Sequence, residues 1–276
     1  MASSREYLSE IAPVSPPAPY QGGKRNLAAR ITRIIEAVDH DGYAEPFVGM
    51  GGIFLRRRRR PRVEVINDIS GDVVTLFRVL AEHYPYVIDM LRFRVSARAE
   101  FQRLLDLPPH RLTDLQRAVR FLYLQRLAFG GKISGRNFGV DSRAPARWNV
   151  GRLEQDLAEI NERLQGVTIE QLPFGDFIRR YDRAGMLFYL DPPYWGCETD
   201  YGQDVFARGD FERLAEQLGA IAGKFILSIN AAPEIRDIFA AFEQVDVATN
   251  YSIGSAAAGQ GKRVGELLIS NFPLGV

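Results

Sequence analysis

The chain is poor in residues that build disulfides and metal centres. Among its 276 residues is one cysteine, Cys197, so no internal disulfide can form and a reducing cytoplasm is the expected compartment. Its three histidines, His40, His83 and His110, lack metal-ligand spacing, and no metal is expected. No apolar run is long enough to span a bilayer, so no membrane partner is expected. Residues 1–19 lack a signal-peptide core and read as a loose, Pro/Ser/Ala-rich lead-in. Internal repeats are absent.

Net charge is also nearly absent, at +1, but it is unevenly spread. Residues 92–152 hold 13 basic residues against Glu100, Asp106, Asp114 and Asp141, a net of +9 that leaves −8 for the remainder. Such asymmetry points to a polyanion-binding module set in a near-neutral or acidic body. The other reading is a set of solvated, Arg-rich helix faces.

Helical spacing of Ile31, Ile34, Ile35 and Val38 predicts a helix over 27–38. Strands are predicted at 43–47, 63–66, 167–172, 186–190, 225–229 and 266–270. Helices are predicted at 53–59, 115–127, 153–164 and 211–221. Alternating strands and helices imply a parallel sheet covered on both faces. The helical, Arg-rich block interrupts this rhythm as an insertion, giving one domain from 1–70 with 153–276 and another from 71–152. Ligands of open α/β sheets gather beyond the carboxyl ends of the strands, where Gly49, Gly51, Asp68, Asp176 and Asp191 fall.

Phe47-Val48-Gly49-Met50-Gly51 sits between a strand and a helix, where glycines allow a tight turn and close approach of backbone to ligand. Asp68, 17 residues beyond Gly51, can accept hydrogen bonds from the ribose hydroxyls of an adenosine, or cap the helix that follows. A nicotinamide dehydrogenase fits this pair too, but Gly52 directly follows Gly51 and no third glycine completes a GxGxxG. S-adenosyl-L-methionine fits better, because its cationic sulfonium needs no phosphate cradle and suits an acidic rim to which Glu45 can contribute. A second glycine turn, Tyr20-Gln21-Gly22-Gly23-Lys24, offers an aromatic, flexibility and a cation to cover a nucleoside and grip its carboxylate.

Asp191-Pro192-Pro193-Tyr194 directly follows the apolar run 186–190. A carboxylate, two rigid residues and an aromatic at a strand end form a compact site for a flat, amine-bearing ring. The run Arg56–Arg60 would end a helix, its cations complementing the dipole on a solvated surface. Cys197 has no role in such chemistry. The loop 254–261 reads as a surface segment able to touch DNA through Lys262 and Arg263.

Taken together, these motifs resemble the Dam-type, or alpha-group, DNA adenine-N6 methyltransferases. The resemblance rests on Tyr20 to Lys24, Glu45-Pro46-Phe47-Val48-Gly49-Met50-Gly51, Asp68-Ile69, an inserted segment and Asp191 to Tyr194, in that order. It extends to the stretch from Arg117 to Arg126 and to the closing Val264-Gly265-Glu266-Leu267-Leu268. It implies a Rossmann-like, S-adenosylmethionine-dependent methyltransferase sheet with an inserted helical DNA-recognition domain. In the resemblance, Tyr20 and Lys24 contact the methionine end of the cofactor, Asp68 holds the ribose, Ile69 packs on the adenine, and Asp176 and Phe177 read its edge. Arg126, Phe129, Gly130, Lys132 and Arg136 fall in the stretch that enters DNA. Phe129-Gly130, Ser134 and a shortened hairpin at 136–139 depart from the form that reads GATC, so adenine-N6 chemistry is implied and that target is not.

The expected mechanism has Asp191 and the Pro192 carbonyl each accept one N6 hydrogen of a flipped adenine, aiming the nitrogen lone pair at the methyl group for direct in-line displacement. Tyr194 would stack on the base, and Phe129 would either wedge into the vacated space or pack in the core. Methylation of cytosine N4, RNA adenine or a protein glutamine would use the same chemistry. A DNA-binding module with a dead cleft is the non-enzymatic alternative. The expected state is a monomer or weak dimer.

Overall fold

Five successive apolar residues, Met186–Leu190, form the central strand of the computed structural model and are all buried. A strand buried on both faces requires layers on both sides. The structure describes residues 8–248 and 265–275 apart from 141, 142, 144, 147, 203 and 204. The expected contacts through Lys262 and Arg263 lie outside the described residues. In chain order the strands are β1 (Ser9–Glu10), β2 (Gly42–Glu45), β3 (Arg59–Arg60), β4 (Val63–Asn67), β5 (Thr168–Glu170), β6 (Met186–Leu190), β7 (Lys224–Asn230), β8 (Glu243–Ala248) and β9 (Gly265–Ser270). The helices are α1 (Ala28–Ala37), α2 (Gly71–Leu91), α3 (Arg98–Asp106), α4 (Asp114–Leu127), α5 (Val150–Arg163), α6 (Phe174–Tyr181), α7 (Gly209–Ala220) and α8 (Pro233–Ile238).

Seven strands form one sheet in the order β5-β4-β2-β6-β7-β9-β8. The first five are parallel, and β9 runs against both of its neighbours. This is the expected α/β, Rossmann-like sheet. Side chains alternate between two cores, as the period of a strand demands. Tyr43, Ile66, Leu187, Tyr189 and Ile226 meet α1, α2, α4 and α5 on one face. Ala44, Val65, Phe188, Leu190 and Leu227 meet α6, α7 and α8 on the other. A third cluster joins Phe101 and Leu104 of α3 to Tyr123, Leu124 and Leu127 at the end of α4. Within α2 the backbone leaves helical geometry at His83, two residues before Pro85, where the missing N–H and the ring force a kink.

Two expectations fail around the arginine run. A single 3-10 turn, Phe54–Arg56, replaces the helix at 53–59, and the chain then enters β3, which pairs with β1. The cause is Arg57, which turns inward, is fully buried, and stacks 3.6 Å above the Tyr43 ring while pairing with Glu64 of β4. Arg163 of α5 reaches the same carboxylate at 2.7 and 2.8 Å. Burial alone would raise the Glu64 carboxyl, but these arginines hold it below the usual range. The lead-in is likewise tied down over its described residues: Val14 N donates to Leu55 O at 2.8 Å, and Val14 and Ala18 are buried.

Candidate functional site

The strand order reverses between β2 and β6, so the loops that leave their carboxyl ends part and open a cleft. Asn67, the last residue of β4, fixes one wall. Its buried amide donates to Pro46 O at 2.9 Å and Leu172 O at 3.0 Å and accepts from Leu172 N at 2.8 Å, joining the loops after β2, β4 and β5.

The glycine turn is shaped by close packing. Gly49 has φ +51°, and a Cβ there would lie 2.9 Å from the Tyr20 ring. Gly51, at φ +73°, faces Leu55 at the same distance; it lies under the turn rather than in the cleft. Asp68 accepts from Gly49 N at 2.9 Å and from Ser70 N at 2.8 Å. Burial pushes its carboxyl up to about 6 in spite of both bonds. Asp68 is not a helix cap: Ser70 is the residue before α2, and it makes no side-chain cap. Glu45 lines the same space, accepts from Tyr43 Oη at 2.5 Å, and is raised by burial to about 8. At neutral pH the acidic rim is therefore chiefly Asp68 and Asp191.

Asp191 directly follows β6 with its side chain 22% exposed, and its Oδ1 lies 2.9 Å from Lys24 Nζ. Lys24 is buried and also donates to Tyr194 Oη at 2.5 Å and Glu266 Oε1 at 2.6 Å. Tyr194 Oη donates to Glu266 Oε2 at 2.6 Å. Burial raises the Asp191 carboxyl to about 6, with Lys24 opposing the rise and Glu266 adding to it. The glycine turn of residues 20–24 thus delivers its lysine to Asp191, while Tyr20, Gln21, Gly22 and Gly23 line the cleft beside it. Pro193 lines the cleft and Pro192 is buried behind it.

Phe47 and Ile69 line the cleft, and Asp176 and Phe177 do not. They lie in α6, whose winding sends Phe177 into the second core and Asp176 out to pair with Arg179. Leu172, Pro173 and Phe174 form that wall instead. In the segment expected to enter DNA, Phe129 is 52% exposed, outside the core, and Lys132 is exposed. Gly130 and Arg126 line the cleft. Two cations expected to face DNA have internal partners: Arg126 donates to Pro17 O at 2.7 Å, and Arg136 donates to Gln125 Oε1 at 3.2 Å. Gln125, fully buried, donates to Pro19 O at 2.9 Å and Gly131 O at 2.7 Å, and Gln21 N donates to Gly131 O at 2.9 Å. The segment after α4 is therefore stitched to the glycine turn. Asn67 and Gln125 escaped the sequence reading as site residues; Glu266 entered only as part of a closing motif. The signal for Glu266 was a lone carboxylate at the start of an otherwise apolar strand.

The cleft holds about 1410 Å³, more than the roughly 300–1,000 Å³ of a site for one small ligand. Its apolar wall, its Asp68 carboxyl and its close-packed glycine turn suit a nucleoside, leaving space for a second ring beside Asp191. No helix among the described residues is long and apolar enough to cross a membrane. No described group of His, Cys, Asp or Glu could hold a metal ion.

Comparison with known proteins agrees with this geometry. Residues 20–253 match the family described as D12 class N6 adenine-specific DNA methyltransferase. The chain is 23% identical over 263 residues to Type II methyltransferase M.CviBI of Paramecium bursaria Chlorella virus NC1A, covering 94% of this chain and 100% of that protein. It is 25% identical over 278 residues to Type II methyltransferase M1.LlaDCHI of Lactococcus lactis subsp. cremoris, covering 92% and 94%. Retron Ec67 DNA adenine methylase of Escherichia coli is 24% identical over 238 residues, covering 81% of this chain and 80% of that one. A methyl donor and a DNA substrate are implied, and the chain belongs to the D12 class N6 adenine-specific DNA methyltransferases.

Proposed function

We propose that the methyl donor is S-adenosyl-L-methionine and that the acceptor is the N6 amine of an adenine flipped out of duplex DNA into the space beside Asp191. The observation that carries this reading is Asp191 itself, a part-exposed carboxylate at the end of a wholly buried strand, beside a buried lysine and a cleft large enough for two ring systems. Tyr20, Phe47, Gly49, Asp68 and Ile69 would hold the donor, which when bound supplies an electrophilic methyl group. Asp68 accepts from ribose hydroxyls, and its charge with that of Asp191 offsets a cation.

The chain's own residues prepare the amine. The N6 lone pair is delocalised into the purine ring and is a weak nucleophile. Asp191 and the Pro192 carbonyl each accept one N6 hydrogen, which favours a pyramidal nitrogen with its lone pair turned to the donor. Fixed φ at Pro192 and Pro193 keeps both acceptors in place as positive charge develops on nitrogen. Tyr194, anchored through its hydroxyl, presents its ring to the base. Phe129 enters the duplex where the adenine leaves. Residues 71–152 supply target recognition, with Lys132 on phosphate. The reducing cytoplasm is the compartment we assign.

Incubation with labelled donor and duplex DNA, followed by digestion to nucleosides, tests this reading. Label in N6-methyladenine is expected, and label in cytosine or none at all would refute it.

A further inference from the structure

Glu266 opens β9 in the sequence Gly-Glu-Leu-Leu-Ile-Ser and is fully buried. It lies at the cleft end of the sheet, because β9 runs against β7 and pairs Glu266 with Asn230. A buried carboxylate is costly and a buried ion pair is weak evidence of a stabilising role. This one takes one reacting-site group on each oxygen: Lys24 Nζ at 2.6 Å on Oε1 and Tyr194 Oη at 2.6 Å on Oε2. The same ammonium lies 2.9 Å from Asp191 Oδ1. Without Glu266, Lys24 would turn more of its charge to Asp191, and that carboxylate would be a poorer acceptor for amine hydrogens. The Tyr194 ring would also lose the anchor of its hydroxyl.

We infer that Glu266 is a positioning residue for methyl transfer, dividing the Lys24 charge between two carboxylates so that Asp191 remains a competent acceptor, and fixing the Tyr194 ring against the base. This rests on the reading of Asp191 as the N6 acceptor. The groups acting on Asp191 are Lys24 from the turn before α1, Glu45 from β2, Tyr189 from β6, Ser228 from β7 and Glu266 from β9.

The test is the pH dependence of kcat for Glu266→Gln, at saturating donor and DNA, beside wild type and Asp191→Ala. In the glutamine variant kcat falls by about 10²-fold, the scale of a misplaced reacting group, while KM for DNA holds. Its acid limb moves to lower pH, because Asp191 loses a like charge and gains more of Lys24. An unchanged kcat, or a lowered kcat with the acid limb in its wild-type place, overturns the inference. A wild-type rate in Asp191→Ala would instead sink the reading of Asp191, so the two failures are distinguishable. Should Glu266→Gln fail to fold, Lys24→Gln combined with Glu266→Gln removes both members of the buried Lys24–Glu266 pair together. The acid limb of that double variant moves to higher pH, since the nearer cation is lost; a limb that stays put overturns the inference.

Discussion

Asn230 grips Trp195 from both sides: Trp195 N donates to its Oδ1 at 2.9 Å, and its Nδ2 donates to Trp195 O at 3.1 Å. The last residue of β7 thereby fixes the backbone that leaves Tyr194. Each bond is worth about 1 kcal/mol, so Asn230→Ala loosens this loop by about 2 kcal/mol. Single-turnover methyl transfer in that variant is expected to slow by up to about 30-fold. Donor affinity, measured by calorimetry, should stay near wild type.

Asp68 and Asp191 are both raised by burial to about 6. A carboxyl raised in the folded state binds protons that the unfolded chain does not, so its contribution to stability is lost as pH rises toward and through 6. The free protein is therefore expected to melt at a lower temperature at pH 7.5 than at pH 5.5. A cationic donor offsets the two charges only when they are ionised. The rise in Tm on adding S-adenosyl-L-methionine should be larger at pH 7.5, and Asp68→Asn should shrink that difference. Differential scanning calorimetry at the two pH values measures both.

Glu64 is the shared partner of Arg57 and Arg163 in the core. Removing one partner of a buried ion pair strands the others, at about 3–5 kcal/mol. Glu64→Ala should lower the denaturant midpoint accordingly, and it leaves the cleft's own residues in place.

Lys132 is exposed, whereas Arg126 and Arg136 bond inside the protein. Lys132→Ala should reduce the slope of log affinity for DNA against log salt by about 1 without a change in Tm. Arg126→Ala and Arg136→Ala should lower Tm as well. Phe129→Ala should diminish the fluorescence rise of 2-aminopurine at the target position, the signal of an unstacked base, with stability unchanged.

The sheet and the heart of the site are legible in the sequence because they are local patterns. An apolar run bounded by Asp191-Pro192-Pro193-Tyr194, and a glycine turn followed by Asp68, declare strand ends without any knowledge of partners. Glu266 could not be read the same way, since it finds Lys24 across 242 residues. Charge misled at Arg57: a run of arginines signals solvent, and only the arrival of Glu64 and Tyr43 from neighbouring strands makes burial tolerable. Asp176 and Phe177 fall at a strand end in sequence, but α6 begins two residues earlier and its turn carries both away from the cleft. β8 escapes the periodicity because Glu243, Gln244 and Asp246 interrupt its apolar residues at the sheet's edge. The tetrapeptide reads in sequence as a site for an amine; the match over 20–253 selects adenine in DNA among the amines.

The central claim is that Asp191 draws the N6 hydrogens of adenine. Single-turnover methyl transfer by Asp191→Ala, with donor binding verified by calorimetry, tests it most directly. The rate is expected to fall by at least about 10²–10³-fold, the scale of losing one prepositioned group at a charge-developing centre. Methylation of adenine at the wild-type rate would contradict it.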